Sequence, residues 1–348
     1  MHSRNRRQRC PGLNTVRRSV ECSLGLIALL VGIEARAQSC EAMPRRIEVV
    51  TLSRALGAAS AVGPVWSDFT LADHPVIFLD QPADTAARGC ATIWRAGSEL
   101  RAVALTQRVR LSTPLYGMWN GEPPGPNPNA NGTAIAATVS RLPPELEAEM
   151  RRLGYSRAII LPVPLRFEAL GSLGKALVAM HADPTVMLTQ LAVHESYHLH
   201  SQIPVWLDQP HQYDWPRWDV QPDRKVLVEQ CYAAPGVMTA HRAELAALLS
   251  AWDLVADSAQ RFDSAAVRSA AQRFIALRHE RYRILDSVRV PSPSGPLPCS
   301  VAENLMELEE GAPQWMSYDT AVRAGVMQVS QAGRSANDAF YVSGTFQL

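Results

Sequence analysis

The spacing of hydrophobic and polar positions changes character along this chain. Between residues 45 and 110, short apolar runs rich in β-branched residues predict strands at 47–51, 76–79, 91–94 and 100–105. An extended segment at 158–165 follows, because Pro162 and Pro164 each interrupt a helix. Pro, Gly and Asn accumulate at 112–133, which predicts a loop. The segment 144–154 has proline and acids early, arginines late and glycine at its end, all typical of a capped helix.

From residue 183 onward the apolar positions follow a helical period. Asp183 and Pro184 supply a cap and a first-turn proline for a helix extending to Gln202. Further helices are predicted at 223–234, 237–257, 263–286 and 301–325. These patterns indicate an α+β fold with a small β-rich part at 38–165 and a larger, mainly helical part at 166–348.

The N-terminal 37 residues have the order of features found in a secretory signal peptide. A basic stretch from Arg4 to Arg18 precedes an apolar run at 23–33, and Ala35-Arg36-Ala37 provides a small-residue cleavage site. The apolar run is about half as long as the ~20 residues that span a bilayer. We therefore predict export to the periplasm or beyond, with an uncleaved membrane anchor as the alternative.

Charge and cysteine content agree with an exported protein that does not bind nucleic acid. The 348 residues carry a formal net charge of +1, but residues 1–37 hold seven Arg and two Glu. The remainder has 27 basic and 31 acidic side chains, whereas nucleic-acid-binding domains are usually strongly basic. Four cysteines remain after the signal, and an oxidising compartment favours two disulfides in any of three pairings. They are Cys40, Cys90, Cys231 and Cys299.

A motif for metal chemistry lies inside the helix predicted at 183–202. His194-Glu195-Ser196-Tyr197-His198 is an H-E-x-x-H sequence, whose two histidines share one helical face. Two imidazoles placed in this way can bind one zinc ion and leave a position open for water. Glu195 is rotated by about 100° from His194, so it can act as a general base without ligating the metal.

The third ligand decides the class of site, and the residues leave several candidates open. His200 is predicted to face the other side of the helix, and His211 lacks the spacing of a third histidine ligand. Glu229 follows His198 by 31 positions on another predicted helix. Three further acids share one helical face and each needs a cation, an arginine or water, since burying a bare charge is costly. They are Glu303, Glu307 and Glu310, with Arg278 and Arg281 as possible partners.

The motif followed by Leu308-Glu-Glu-Gly-Ala-Pro-Gln-Trp315 resembles the gluzincin metallopeptidases, and residues 190–320 are similar to an uncharacterised family of exported bacterial proteins. The resemblance implies a zincin-like helical part in which Glu310, the acid before glycine, is the third zinc ligand. In the same pattern, Glu309 stands where those peptidases have asparagine or glutamate, and Trp315 stands near their aromatic residue. The separation of His198 from Glu310 is longer than in those peptidases, and Glu229 suits a thermolysin-like spacing. Glu310 is the favoured ligand.

The expected function is a zinc-dependent hydrolase of the bacterial envelope, a peptidase acting on a peptide or protein substrate with one zinc ion. Its metal ligands are His194, His198 and Glu310, and Glu195 activates water. The tyrosines considered as transition-state stabilisers are Tyr232, Tyr318 and Tyr341. Two alternatives stay open: a non-catalytic zincin that binds or scaffolds other envelope proteins, and a helical interaction domain in which the motif is accidental.

Overall fold

The chain folds as an α+β protein, as the sequence predicts. The computed structural model describes residues 40–64, 69–80, 89–109, 111, 113, 115–121, 141–179, 182–202, 227–256, 263–291 and 295–327. The predicted signal peptide at 1–37 and His211 lie outside these ranges. The α-helices are α1 (Ile47–Ser60), α2 (Pro144–Arg152), α3 (Gly171–Ala179), α4 (Pro184–Tyr197), α5 (Val237–Ala256), α6 (Ser264–Leu285) and α7 (Cys299–Arg323). The strands are β1 (Val76–Asp80), β2 (Cys90–Trp94), β3 (Arg101–Ala104), β4 (Gly117–Asn120), β5 (Arg157–Pro162), β6 (Arg289–Val290) and β7 (Leu297–Pro298).

Five strands of the N-terminal half form a mixed sheet in the order β3-β2-β1-β5-β4. Strands β1 and β5 are parallel, and the other neighbouring pairs are antiparallel. Successive residues of a strand point to opposite faces, so the sheet contributes to two cores. Val76 and Phe78 join a core with α4, which carries the H-E-x-x-H motif, and with α1 and α7, whereas Ile77 and Leu79 join a core with α2. The sheet is thus covered on both faces.

Helices α1, α4 and α7 pack on one face of the sheet and share its core. The strand predicted at 47–51 is wrong, because these residues begin α1. The buried residues of α1 are Val49, Leu52, Leu56 and Ala59, which recur at helical spacing over 11 residues. This longer period outweighs the β-branched character of the first turn.

Strand β4 lies inside the segment predicted as a loop at 112–133, which corrects that prediction for residues 117–120. Met118 and Trp119 are buried on opposite faces of the sheet, so this short piece behaves as a strand. The Pro- and Gly-rich sequence begins only after Gly121, and residues 122–140 lie outside the described ranges. Strand β4 forms an edge of the sheet in the described part of the chain.

The helix carrying the motif begins as its sequence predicts. The Asp183 side chain accepts a hydrogen bond from the Thr185 amide at 2.7 Å, and Pro184 occupies the first turn. This satisfies one of the amide groups that a helix start leaves without a partner. Helix α4 continues to Tyr197 and then widens into a π-helical turn at His198–Gln202.

The helical C-terminal half is built from a hairpin of α5 and α6 that meets the first half of α7. Disulfide Cys231–Cys299 joins a π-helical turn at Leu227–Cys231 to the start of α7. Disulfide Cys40–Cys90 joins the N-terminal segment to β2. All four predicted cysteines are therefore paired. Among the described residues, no helix combines the length and apolar character needed to cross a bilayer.

A buried ionic cluster fixes α5, α6 and α7 to one another. It consists of the guanidinium groups of Arg278 and Arg281 and the carboxylates of Glu244, Glu303 and Glu307. Arg281 is fully buried and pairs with both Glu244 and Glu303, while Arg278 bridges Glu244, at 2.9 Å, and Glu307. Burial raises the pKa of Glu303 to about 7, although Arg281 acts in the opposite direction. Of the partners that the sequence leaves open for Glu303 and Glu307, the structure shows the arginines, Arg281 and Arg278 respectively.

Beside this cluster, His241 makes the folded state sensitive to acid. Its side chain is buried, and burial together with Arg281 and Arg278 lowers its pKa to about 4 against the opposing influence of Glu244. In the unfolded chain the imidazole of His241 is protonated as the pH falls through 6.5, whereas in the folded chain it stays neutral until about pH 4. The contribution of His241 to stability is therefore present above pH 6.5 and is lost as the pH falls towards 4.

We expect His241→Leu to remove this sensitivity. The difference in unfolding free energy between wild type and variant should change by about 1.4 kcal/mol per pH unit between pH 6.5 and 4. Urea unfolding at several pH values measures it, and using the difference cancels groups common to both proteins, such as Glu303 and His74. A difference that stays constant with pH would contradict the prediction.

Candidate metal centre

Two long helices meet over the sheet and bring distant residues of the chain together. Helix α4 packs along α7, with Ala192 and Val193 sharing a core with Ala312 and Met316. Glu310 lies two positions before Ala312 on α7, and its carboxylate contacts His194 of α4. This packing closes a gap of 116 positions between His194 and Glu310.

The ligand atoms of three predicted metal-site residues converge on one point. Nε2 of His194 lies 3.1 Å from Oε2 of Glu310 and 3.1 Å from Nε2 of His198. Nε2 of His198 is 3.5 Å from the same Glu310 oxygen. Two atoms bound at ~2.0–2.1 Å to one tetrahedral zinc ion would lie about 3.3 Å apart. The three atoms are therefore spaced as ligands of a single cation, and the group could hold a metal ion.

The electrostatics of the group also suit a cation. Burial alone would raise the pKa of Glu310, but the neighbouring imidazoles of His194 and His198 hold the pKa well below the usual range of a carboxyl group. Glu310 is thus a carboxylate whenever the protein is folded near neutral pH. A partly buried carboxylate facing two imidazole nitrogens presents the donor set that zinc takes in catalytic sites.

Glu195 lies beside this group without joining it. Its side chain is buried, and burial raises its pKa while the nearby His194 and His198 favour the charged form. Tyr116 is the residue just before β4, and its hydroxyl forms a hydrogen bond with the Glu195 carboxylate. A phenol donates to an ionised carboxylate, so Tyr116 fixes the direction in which Glu195 points.

The other candidates are placed away from the centre. Glu229 is exposed on the π-helical turn that the disulfide ties to the start of α7, and it is not a member of the metal group. Glu303 and Glu307 belong to the buried ionic cluster. His200 faces away from the group, as predicted, and stacks on His74 with ring centroids 3.7 Å apart.

Of the three tyrosines considered as stabilisers, Tyr232 donates its hydroxyl to Glu303 at 3.0 Å and so serves the ionic cluster. Tyr318 is half-buried on α7, and Tyr341 lies outside the described residues. The sequence prediction missed Tyr116 and Gln202, whose side chain contacts His198. No motif marks either residue, although Gln202 is four positions after His198, a spacing that places side chains together on a helix.

No family model, curated protein or solved structure matches this chain. The gluzincin resemblance seen in the H-E-x-x-H motif and in Glu310 therefore stays a prediction. The functional interpretation depends on the geometry of the centre itself.

Proposed function

We propose that this protein is an exported zinc-dependent peptidase of the bacterial envelope, in which His194, His198 and Glu310 bind the metal and Glu195 activates water. The observation that carries the proposal is the mutual spacing of the three ligand atoms, 3.1 to 3.5 Å, beside a buried carboxylate that is not a ligand. Three protein ligands of the His₂Glu type leave one coordination position open for water or substrate.

The residues around the centre suit hydrolysis of an amide. Zinc bound there would polarise a substrate carbonyl and lower the pKa of a water molecule. Glu195 would accept a proton from that water as its oxygen forms a bond to the carbonyl carbon. It would then give the proton to the nitrogen as the C–N bond breaks, so its own charge is restored. Tyr116 holds the Glu195 carboxylate in one direction throughout.

The neighbouring sheet edge favours a polypeptide substrate over a small amide. In the register of β4 and β5, Gly117 pairs with Ile160 and Trp119 with Ala158. The Gly121 amide donates to the Ser156 carbonyl at 2.6 Å, which continues the same alternation. The Met118 amide and carbonyl therefore point away from β5. An extended peptide can pair with such an edge. Tyr116, the residue just before this strand, forms a hydrogen bond with Glu195 and so connects the edge to the metal group.

Both disulfides support the proposed location. Cys40–Cys90 and Cys231–Cys299 need an oxidising compartment to form and persist, as in the periplasm. Export is expected to follow from the signal peptide predicted at 1–37. The mature N-terminus of the secreted protein, read by Edman degradation or mass spectrometry, tests this; retention of residues 1–37 would support the membrane-anchor alternative.

The metal is tested by comparing two acids that the sequence alone cannot separate. Wild-type protein is expected to bind one zinc ion per chain. Glu310→Ala should weaken binding by about 100-fold or more, since losing a ligand costs at least as much as losing a residue that supports one. Glu229→Ala is the matched control and should bind zinc as wild type does. Competition with a chromophoric chelator measures each affinity, and equal losses in both variants would contradict the assignment.

The peptidase activity is tested with the secreted protein and a library of peptides of mixed sequence. Mass spectrometry should reveal new peptide termini with the zinc-loaded protein and none after chelation or with His194→Ala. Zinc binding without cleavage of any peptide would support the alternative, a non-catalytic zincin that binds other envelope proteins. Absence of zinc binding in the wild type would contradict both and leave an accidental motif.

A further inference from the structure

The helix that carries the metal ligands does not end as an ordinary α-helix. After Tyr197 it widens into the π-helical turn His198–Gln202, and the widening begins at the second histidine of the motif. A π-helical turn accommodates one residue more than an α-helical turn, which costs hydrogen-bond quality and is often found at functional sites. This turn therefore needs an explanation from its contacts.

One contact ties the end of the turn back to its beginning. Oε1 of Gln202 lies 2.6 Å from Nδ1 of His198. An amide oxygen can only accept a hydrogen bond, so Nδ1 of His198 must carry the proton. In a neutral imidazole the lone pair is then on Nε2. That is the nitrogen facing His194 and Glu310.

A second set of contacts anchors the middle of the turn on the sheet side. The His200 ring stacks on the His74 ring with centroids 3.7 Å apart and an interplanar angle of 15°. The His74 ring stacks in turn on Phe69, with centroids 5.4 Å apart. Leu199 is buried in the core beneath α4. Within the described part of the chain, Nε2 of His200 is buried and has no hydrogen-bond partner, so the ring is held by stacking. The turn is thus fixed at its middle while Gln202 reaches back to His198.

We propose that Gln202 is a positioning residue for the metal centre: through the π-helical turn it holds His198 in the Nδ1–H tautomer, with Nε2 directed at the metal position. The inference rests on the proposed zinc site, but it concerns a residue that lies outside the H-E-x-x-H motif. A ligand histidine whose other nitrogen donates to a fixed acceptor is oriented and made more basic, and loss of such an acceptor typically weakens metal binding by ~10–100-fold.

Three variants test the role. Gln202→Leu keeps an uncharged side chain of comparable size but removes the acceptor, and it should weaken zinc binding ~10–100-fold. Gln202→Glu keeps an acceptor and adds charge, so it should bind zinc at least as tightly as the wild type. Ser201→Ala, on the same turn, is the matched control and should bind as wild type. Competition with a chromophoric chelator gives each affinity, and a thermal midpoint close to that of the wild type shows an intact fold.

A second measurement does not depend on zinc. In metal-free wild-type protein, long-range ¹H–¹⁵N spectra of the imidazole groups should show His198 protonated at Nδ1, whereas Gln202→Leu should shift it towards the Nε2–H form. Wild-type affinity in Gln202→Leu, or an Nε2–H tautomer in the wild type, would overturn the proposal. If the wild type and all variants fail to bind zinc while the tautomer is as expected, the metal centre itself fails, and the positioning role falls with it.

Discussion

Glu195→Gln is expected to retain zinc binding and to lose peptide cleavage. The substitution is nearly isosteric and leaves the imidazoles of His194 and His198 and the carboxylate of Glu310 unchanged, so zinc binding should stay within a few-fold of wild type. A glutamine cannot accept the proton of the attacking water, and removing a general base typically lowers turnover by about 10²–10⁴-fold. Peptide cleavage per zinc-loaded chain, measured by mass spectrometry or a fluorogenic peptide, gives this ratio.

Two controls make the result specific to water activation. Glu229→Gln changes an exposed acid outside the metal group and should retain full turnover. Tyr116→Phe removes the hydroxyl that orients the Glu195 carboxylate but leaves the carboxylate itself, so its turnover should fall between wild type and Glu195→Gln. Undiminished cleavage by Glu195→Gln would exclude Glu195 as the base. If the variant instead loses zinc in proportion to its loss of cleavage, Glu195 supports metal binding and not water activation.

The first half of the candidate metal centre can be predicted from sequence because it is local. Asp183 and Pro184 define the start of α4, and the spacing of His194 and His198 follows from helix geometry alone. Nothing in this step requires knowledge of distant contacts. The position of Glu195 beside the metal group, but not within it, follows from the same helical rotation.

The second half cannot be predicted in this way, since it depends on which helix packs against α4. Glu229 and Glu310 are both acids on helical segments after the motif. In the structure only Glu310 reaches the two histidines, because α7 packs along α4. The turn carrying Glu229 is tied by the Cys231–Cys299 disulfide to the N-terminal end of α7. Sequence spacing carries no information about this choice, and a motif resemblance favoured Glu310 without a physical reason.

The acids of α7 show how one helical pattern can serve two purposes. Glu303, Glu307 and Glu310 recur at helical spacing, and the sequence indicates only that each needs a positive partner. In the structure the first two meet Arg281 and Arg278 of α6, whereas Glu310 meets the imidazoles of α4. The division arises because α7 is long enough to contact α6 with its first half and α4 further along.

Arg281→Met should be among the most destabilising substitutions in the chain. The guanidinium is fully buried and pairs with Glu244 and Glu303, both also buried. Methionine fills part of the volume but leaves the buried Glu303 carboxylate without its arginine partner, and Glu244 with Arg278 alone. Removing one partner of a buried ion pair typically costs ~3–5 kcal/mol of unfolding free energy. Urea unfolding followed by circular dichroism, at a fixed pH of 7.5, measures the loss.

Arg283→Met on the same helix is the matched control. Its pair with Glu280 is solvent-exposed on both sides, at 74% and 55% of side-chain surface, so the substitution should change stability far less than Arg281→Met does. Adding Glu303→Gln to Arg281→Met should recover part of the lost stability, because a neutral amide is less costly to bury than a lone carboxylate. Equal effects of Arg281→Met and Arg283→Met would show that the buried cluster does not hold α6 against α7.

Since the cluster fixes the helix that carries Glu310, we also expect Arg281→Met to weaken zinc binding, an effect that Arg283→Met should lack.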